Sequence, residues 1–390
     1  PLGGYVQLFG DADPASAQHS DEVEEEDGQT REMTEEERKV ALFTKPLWQR
    51  AAVVFAGPAI NFIFAVFLLT GLFYVKGEPV SSPTVGAVIE GSAAEEYGFL
   101  PHDTILTIDG KTISDFSDIR REMLVALDQE RKFKIERGGE VIVITAMPKR
   151  VQSEDRFGFK SSAGRLGIFS AESGILVDDI SQIDGVTYED NAEKLEVLKT
   201  KLDSQFKVLL GEPSEDNKPF TILPTAKGNA ELGTHEDVLK ESIFLSDEKA
   251  REFVHHTLMT ATQSAINETY VMTRSSVEAL WQMVVGVRSA QELGGIVRIG
   301  AISGEMAQKG LVPLIMLTAL LSINLGFINL LPIPMLDGGH LTFYTIEAIM
   351  GRPLNEDVQE YAFRAGFVFL IMVMAFANLN DIYQLLNLGD

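Results

Sequence analysis

The stretch Leu311–Leu336, LVPLIMLTALLSINLGFINLLPIPML, contains 26 residues without a charge and leads directly into Asp337. A helix needs about 20 apolar residues to cross the hydrocarbon core of a bilayer. Soluble helices of this length rarely lack charges throughout. The stretch therefore predicts a membrane span that ends in a carboxylate.

Two further segments predict spans. The first is AAVVFAGPAINFIFAVFLLTGLFYV at 51–75, which is 25 residues without a charge. The second begins with AGFVFLIMVMAFANLN, 16 uncharged residues from 365, and an apolar extension carries it to 385. The fold class is thus predicted to be a polytopic α-helical membrane protein with three visible spans, at 51–75, 311–336 and 365–385.

The overall composition excludes several function classes. The 390 residues carry a net charge of −24, so a nucleic-acid backbone is not expected as a partner. The sequence has no cysteine, which excludes disulfides, thiolate metal sites and a cysteine nucleophile.

The positive-inside rule orients the predicted spans. Cations precede the first span and lie between the second and third, whereas only Lys76 closely follows the first. The cations before the first span are Arg38, Lys39, Lys45 and Arg50, and those between the second and third spans are Arg352 and Arg364. Residues 1–50 and 337–364 are therefore predicted to face the cytoplasm, and 76–310 the opposite side.

Residues 80–150 predict a compact α+β module, with two strands that end in Asp109-Gly110, an amphipathic helix and a hairpin across Gly138-Gly139. The pattern GSAAE-x-x-GF-x-x-x-D-x-I-x-x-IDG in this module resembles bacterial PDZ domains; another small α+β fold is the alternative. The resemblance implies a groove that accepts a peptide as an added strand. The strand assigned to this groove is Val85, Gly86, Ala87 and Val88.

A partial repeat follows this module. DTILTIDGKT at 103–112 aligns with DDISQIDGVT at 178–187, and a helix and a strand pair follow in the same order. The repeat predicts a second, abbreviated PDZ-like module at 160–226. Chance recurrence of an Asp-Gly turn before a helix is the alternative.

The segments before the first span and after the two modules are predicted to have neither a membrane span nor an α+β fold. Residues 11–38 are rich in acid and poor in apolar side chains, which predicts a solvated loop. Residues 250–290 predict amphipathic membrane-associated helices, because Val277, Trp281 and Val284 recur at helical spacing.

The end of the 311–336 span carries the candidate chemistry. A carboxylate at mid-membrane costs about 2.5–3.5 kcal/mol on insertion scales, so an aspartate there usually has a function. Pro332 and Pro334 remove backbone donors, and Gly338-Gly339 permits unusual backbone angles, so the helix is expected to break near its cytoplasmic end. Spacing alone leaves two interpretations: Asp337 has a function, or it lies at the interface and caps a turn.

The motif N-x-x-P-x-P-x-L-D-G resembles the signature of the site-2 protease family of intramembrane zinc metalloproteases, in its RseP-like branch. It is formed by Asn329, Pro332, Pro334, Leu336, Asp337 and Gly338. The opening PLGGYV, the FAGPAIN of the first span and the inserted PDZ-like module agree with that branch.

The resemblance implies roles for individual residues. Asp337 matches the carboxylate zinc ligand, which acts with two histidines and a general-base glutamate of a His-Glu-x-x-His motif on an earlier span. Asn329 matches an asparagine that binds the substrate backbone. The PLGGYV segment matches a membrane-associated β-hairpin on the cytoplasmic side, within 1–50, that holds the substrate as an extended strand. The implied substrate-binding residues are Gly3, Gly4, Tyr5, Pro332 and Pro334.

The sequence departs from that family in one respect. None of its six histidines lies in a His-Glu-x-x-His motif, and His340 is expected to be structural. The active site of the chain as given is therefore expected to be incomplete. The expected reason is N-terminal truncation that removes a fourth, N-terminal span.

The function implied by the resemblance is cleavage of transmembrane segments of single-span membrane proteins, such as anti-sigma factors or remnant signal peptides. The implied place is the bacterial inner membrane, with zinc as cofactor and the PDZ-like modules on the periplasmic side. The alternative is a non-catalytic PDZ-bearing membrane scaffold. The presence of both Asn329 and Asp337 favours the protease, because a scaffold has no need of a carboxylate in the membrane.

Overall fold

The computed structural model describes residues 22–24, 30–32, 34–212, 214, 217–233, 241–247 and 252–386. Its helices are α1 (Glu35–Val40), α2 (Leu47–Lys76), α3 (Ala93–Glu96), α4 (Phe116–Val125), α5 (Asn191–Thr200), α6 (Leu258–Val284), α7 (Ile296–Gln308), α8 (Leu311–Asn329), α9 (Asp337–Met350) and α10 (Glu356–Leu386). Two 3-10 turns lie at Leu42–Thr44 and Ala290–Glu292.

The strands lie mainly between α2 and α6. They are β1 (Glu22–Glu24), β2 (Thr30–Glu32), β3 (Glu78–Val80), β4 (Val85–Ile89), β5 (Thr104–Ile108), β6 (Lys111–Thr112), β7 (Arg131–Arg137), β8 (Glu140–Ala146), β9 (Lys149–Glu154), β10 (Lys160–Arg165), β11 (Ile168–Ser170), β12 (Gly174–Leu176), β13 (Ile180–Ile183), β14 (Val186–Thr187), β15 (Phe206–Leu210), β16 (Phe220–Ile222), β17 (Ser242–Phe244) and β18 (Glu252–Val254).

Three of the described helices are long and apolar enough to cross a membrane. They are α2, α8 and the part of α10 from Asp357 to Leu386, with mean hydropathies of 2.3, 2.2 and 1.9. Each overlaps one predicted span. The second ends earlier than predicted, at Asn329 rather than 336, because the prolines at 332 and 334 cannot donate to a continuing helix.

Helices α2, α6 and α8 share one apolar core. Small side chains bring their backbones together: Ala65, Ala261, Ala265 and Ala319 are fully buried. Polar contacts add to this packing, since the Ser322 hydroxyl of α8 donates to a backbone carbonyl of α2 at 2.9 Å. Helices α2 and α8 are thus held in a fixed position relative to each other.

Strand β4 belongs to two cores at once. Its side chains Val85 and Val88 lie in the first core, with α4 and the sheet of order β6-β5-β7-β8. Ala87 lies in the second core, with α5. The backbone of β4 is an interior strand of the sheet of order β11-β4-β16-β15-β13-β14. The two modules therefore share a strand.

The predicted repeat corresponds to two hairpins of the same geometry. Asp109 and Asp184 both have positive φ, at 52° and 50°. Each aspartate side chain accepts a hydrogen bond at 2.8 Å from the backbone of the neighbouring strand, at Lys132 and Lys207 respectively. An aspartate tolerates this left-handed conformation better than most residues, which explains its recurrence before glycine.

The described boundaries differ from the predicted ones in two places. The second core includes Ile243 and Leu245, past the predicted module end at 226, because β17 pairs with β12. The 250–290 region contains one long helix, α6. Its Tyr270, Trp281 and Val284 are between 63% and 77% exposed on the protein surface.

Candidate active site

The candidate site is the turn between α8 and α9. Helix α8 ends at Asn329 and α9 begins at Asp337. The chain reverses tightly between them: Ile333 N donates to Leu331 O at 2.7 Å, and Met335 adopts a φ of 84°. A positive φ at a non-glycine residue is uncommon and often marks a functional turn.

Glycines permit the close packing of this turn. A Cβ on Gly338 would lie 2.3 Å from the carbonyl oxygens of both Leu330 and Leu331. A Cβ on Gly339 would lie 2.5 Å from the Ile333 oxygen. Both glycines are buried, so the start of α9 folds directly onto the turn that precedes it.

Asp337 faces α2 at a position where that helix has no side chain. A Cβ built on Gly57 would lie 3.1 Å from Asp337 Oδ2. Gly57 belongs to the FAGPAIN motif of the first span. The family resemblance brought these two motifs together by sequence, and the fold brings them into contact.

The carboxylate of Asp337 accepts no hydrogen bond from the residues that the structure describes, although it is half-buried. Leu336 is the N-cap of α9, and no side chain caps that helix end. A capping aspartate would accept a bond from the second or third amide of the helix. The interpretation of Asp337 as a turn cap therefore does not describe this geometry.

The other predicted residues of the motif lie around the same turn. Asn329 is the last residue of α8, half-buried, and its side chain makes no hydrogen bond within the described part of the chain. Pro332 is exposed. Pro334 packs against α10, where a Cβ on Gly366 would lie 2.3 Å from the proline carbonyl oxygen.

His340 lies among aromatic side chains, one turn after Asp337. Its ring centroid is 4.8 Å from that of Phe363 in α10 and 6.4 Å from that of Tyr344. Below it, Arg50 at the start of α2 pairs with Glu347 at 2.7 Å and lies 5.0 Å from the centre of the Tyr344 ring. These contacts join α2, α9 and α10 next to the turn.

The side chains around this turn can be compared with the ligands that a zinc ion needs. A catalytic zinc takes three protein ligands, and an aspartate oxygen is one that it accepts. Within the described residues, no group of three or more His, Cys, Asp or Glu side chains could hold a metal ion. The described residues therefore do not complete a zinc site by themselves, and Asp337 stays the predicted ligand.

The remaining predicted site residues are those of the N-terminal segment and of strand β4. Gly3, Gly4 and Tyr5 fall outside the described residues. The strand Val85–Val88 has both edges hydrogen-bonded, to β11 on one side and β16 on the other. This interior strand leaves no backbone edge for a peptide; among the described strands, the open edge of the sheet on that side is β11.

Two residues of the site were not identified from the sequence. Gly57 provides the room for the carboxylate, and Gly366 allows α10 to meet Pro334. A small residue inside a long apolar helix is the signal that could have found them, since close helix contacts in membranes favour such residues. The signal is weak, because Gly71 also lies in α2 and has nothing within 4 Å of its Cβ position.

Comparison with known proteins supplies the context of this geometry. The family model for peptidase family M50 matches residues 1–373. A protein of Agrobacterium fabrum, provisionally named a zinc metalloprotease, is 32% identical over 99% of this chain and 81% of its own length. The metalloprotease MmpA of Caulobacter vibrioides is 28% identical, over 98% and 80%. The regulator of sigma E protease of Haemophilus influenzae is 28% identical, over 99% and 86%.

Proposed function

The chain belongs to peptidase family M50, whose members use zinc, and we propose that it is an intramembrane zinc metalloprotease with Asp337 as one metal ligand. The observation that carries the proposal is the half-buried Asp337 carboxylate, which has no hydrogen-bond donor among the described residues and faces Gly57. A buried anion without a partner is costly, and a cation at that position removes the cost.

In the proposed mechanism, Asp337 after the turn binds the metal and Asn329 before the turn binds the substrate. When bound, zinc acts as a Lewis acid that activates water for attack on a peptide carbonyl. Asp337 would supply one ligand to the metal. The Asn329 amide carries both a donor and an acceptor, so it can bind the backbone of an unwound substrate segment. Pro332 and Pro334 keep the turn open beside that segment, and Gly3, Gly4 and Tyr5 are proposed to hold it as a strand.

The proposed substrates are single-span membrane proteins, such as anti-sigma factors or remnant signal peptides. A substrate helix has to unwind before its carbonyls can be attacked, and pairing with a strand re-satisfies the freed amides. The regulator of sigma E protease of Haemophilus influenzae supports this substrate class. The proposed place is the bacterial inner membrane, with residues 76–310 on the periplasmic side.

The two modules are proposed to be PDZ-like and to screen substrates on that side. The open edge of β11 is the proposed docking strand, in place of Val85–Val88. Phe169 on this strand is 42% exposed and lies 5.5 Å, ring to ring, from Phe220, so an apolar surface borders the open edge. An added strand would gain backbone pairing from the edge and side-chain contacts from this surface.

The test is substitution of the proposed ligand. In Asp337→Asn, both bound zinc and cleavage of a single-span reporter are expected to disappear, because a neutral amide is a poor zinc ligand. Asp357→Asn, an exposed carboxylate at the start of α10, is the control and is expected to behave as the wild type. Zinc content and reporter cleavage are measured on the same purified membranes. Zinc content and cleavage that are unchanged in Asp337→Asn would overturn the assignment of Asp337 as a metal ligand.

A further inference from the structure

The C-terminal end of α10 carries polar side chains on an otherwise apolar helix. Asp381 is fully buried there, and Gln384 is 9% exposed. The neighbouring amides of Asn378 and Asn380 complete the group. Each of the four bonds to the chain outside α10, so one face of this end of the helix contacts protein.

Asp381 meets the first turn of α7. Its Oδ2 accepts hydrogen bonds at 2.9 Å from the backbone amides of Gly295 and Arg298, and Asn378 Oδ1 accepts one at 3.0 Å from Ile296. The N-cap of α7 is Gly295, which has no side chain to serve these donors. A side chain from another helix therefore satisfies the free amides at the start of α7.

The other oxygen of Asp381 is unusual. Oδ1 is buried and has no hydrogen-bond partner within the described residues. Burying a carboxylate with an unsatisfied oxygen is expensive. An asparagine could bond the same two amides at lower cost. The carboxylate is better explained by a strong, charge-assisted hold on α7 than by stability alone.

The segment held by Asp381 also holds the first module. Arg288 donates to the carbonyl oxygens of Ser162 at 2.9 Å and Leu124 at 2.8 Å, and it pairs with Glu292 at 2.7 Å. Both charged side chains of this pair are at most 10% exposed. The first module is therefore fixed to the chain just before α7.

Two direct contacts strengthen this junction. Gln384 Oε1 accepts a hydrogen bond at 3.0 Å from the Lys160 amide of the β9–β10 hairpin, whose strand β10 packs on α4 of the first module although its residues were predicted to begin the second. The Arg298 guanidinium lies 5.1 Å from the ring centre of Phe159, a residue at 0% exposure. The first module, the start of α7 and the end of α10 thus meet in one polar junction.

The other part of α10 contacts the candidate active site. Gly366 packs on Pro334, and Phe363 packs on His340. Asp381 follows Gly366 by 15 residues, which is about 22 Å along a helix. One continuous helix therefore joins the polar junction to the turn that carries Asp337.

We propose that Asp381 is a positioning residue that holds the first module and α7 on the end of α10, and that α10 transmits the position of the module to the Asp337 turn. The second half rests on the proposed function. In the docked state the module is also proposed to limit the approach of a substrate's soluble domain to the membrane helices. Release at Asp381 frees the module and lets α10 shift against Pro334.

The docking half can be tested without any activity. Because the sequence has no cysteine, Arg156→Cys with Glu305→Cys introduces a unique thiol pair where the hairpin meets α7; the native side chains lie 3.4 Å apart. A short bismaleimide is expected to cross-link the pair in otherwise wild-type protein. Asp381→Ala is expected to slow cross-linking about tenfold, as for loss of a charge-assisted hydrogen bond.

Three further variants make this result interpretable. Asp381→Asn keeps a neutral acceptor for the two amides and is expected to restore cross-linking only in part, because the charge-assisted component of the hold is lost. Gln384→Ala removes the contact with the Lys160 amide and the hydrogen bond to the Gln291 carbonyl, but leaves the Asp381 contacts, and is expected to slow cross-linking less. Asp357→Ala, on the same helix but outside the junction, is expected to have no effect. Wild-type cross-linking in Asp381→Ala would overturn the proposal; if that variant does not fold, unchanged cross-linking in Gln384→Ala overturns it instead.

The transmission half uses a ratio of activities. Cleavage of a single-span reporter with a long periplasmic domain is divided by cleavage of the same reporter after trimming. Asp381→Ala is expected to raise this ratio about tenfold, whereas a general loss of stability lowers both rates alike. An unchanged ratio together with slower cross-linking overturns transmission. If the wild type cleaves neither reporter, the proposed function fails, while the cross-linking result still decides the role of Asp381 in docking.

Discussion

Asp337 and Gly57 face each other across the contact between α9 and α2, with 3.1 Å between the carboxylate Oδ2 and the position of a Cβ on the glycine. Carbon and oxygen atoms in ordinary contact are farther apart than this, near 3.5 Å or more. Glycine at position 57 therefore determines how closely the carboxylate approaches the first span.

Gly57→Ala is expected to push the Asp337 carboxylate away by a few tenths of an ångström and to lower proteolysis about tenfold, because misplacement of a reacting group is costly. Gly71→Ala in the same helix is the matched control, since nothing lies within 4 Å of its Cβ position. Reporter cleavage and zinc content are measured at equal expression. Equal activity of the two variants would show that the Asp337 position does not depend on this contact.

Gly338→Ala is expected to destabilise the protein by about 1–3 kcal/mol, because overpacked atoms here are backbone carbonyls that cannot rotate away. Gly300→Ala in α7 is the control: its Cβ position is open, and alanine favours a helix by about 1 kcal/mol over glycine. Thermal unfolding in detergent compares them. A melting temperature of Gly338→Ala at or above the wild-type value would contradict the packing described for the turn.

Local patterns in the sequence predicted the parts of the fold that depend on composition. The uncharged runs identify the three apolar helices, and the prolines predict that α8 breaks before Asp337. The start of α9 at Asp337 was not predicted, because glycines at 338 and 339 disfavour a helix unless a turn packs against them.

Contacts between distant segments could not be predicted in this way. Strand β4 reads as part of the first module, yet it pairs with β16, and no local pattern records that pairing. The facing of Asp337 and Gly57 depends on the rotation of two helices about their axes. Asp381 marked only the edge of an apolar run in the sequence, and its burial depends on α7.

Asp103→Ala is expected to destabilise the first module by about 2–3 kcal/mol. Asp103 is fully buried and accepts two bonds from Arg137, at 2.6 and 2.7 Å. The expected loss of stability is smaller than that for breaking a fully buried ion pair, because the Arg137 side chain is partly exposed to water. Its guanidinium pKa is raised, mainly by the hydrogen bond to Asp103.

The control for Asp103→Ala is Glu96→Ala, which removes an exposed ion pair with Lys149 and is expected to cost less than about 1 kcal/mol. Hydrogen exchange of the β5 and β7 amides in the whole protein reports on the first core. Equal protection in both variants would contradict a structural role for the buried pair.

Glu268→Gln is expected to be at least as stable as the wild type at neutral pH. Burial raises the pKa of Glu268 above its ordinary value of 4.5, against the opposing charge of Arg121 at 2.9 Å. The carboxylates that add to this rise are Glu78, Asp118 and Asp115. A raised pKa in the folded state means that the ionised form is disfavoured there relative to the unfolded chain.

The difference in stability between the wild type and Glu268→Gln is expected to shrink as the pH falls. Lowering the pH through the raised folded-state pKa protonates Glu268 and relieves the cost, so wild-type stability approaches that of Glu268→Gln. Melting temperatures from pH 8 to pH 5 measure the difference, with exposed Glu96→Gln as control. A difference that widens as the pH falls would show that the ion pair with Arg121 outweighs burial.

The shared strand β4 has a consequence for the order of events during synthesis. Ile89 pairs with Phe220, and the two are 131 residues apart in the chain. The first module is therefore synthesised with one edge of β4 unpaired, and that edge stays unpaired until β16 has followed. An unpaired edge of this kind is prone to wrong pairing with other chains. The edge of β4 thus needs protection for as long as the second module takes to be made.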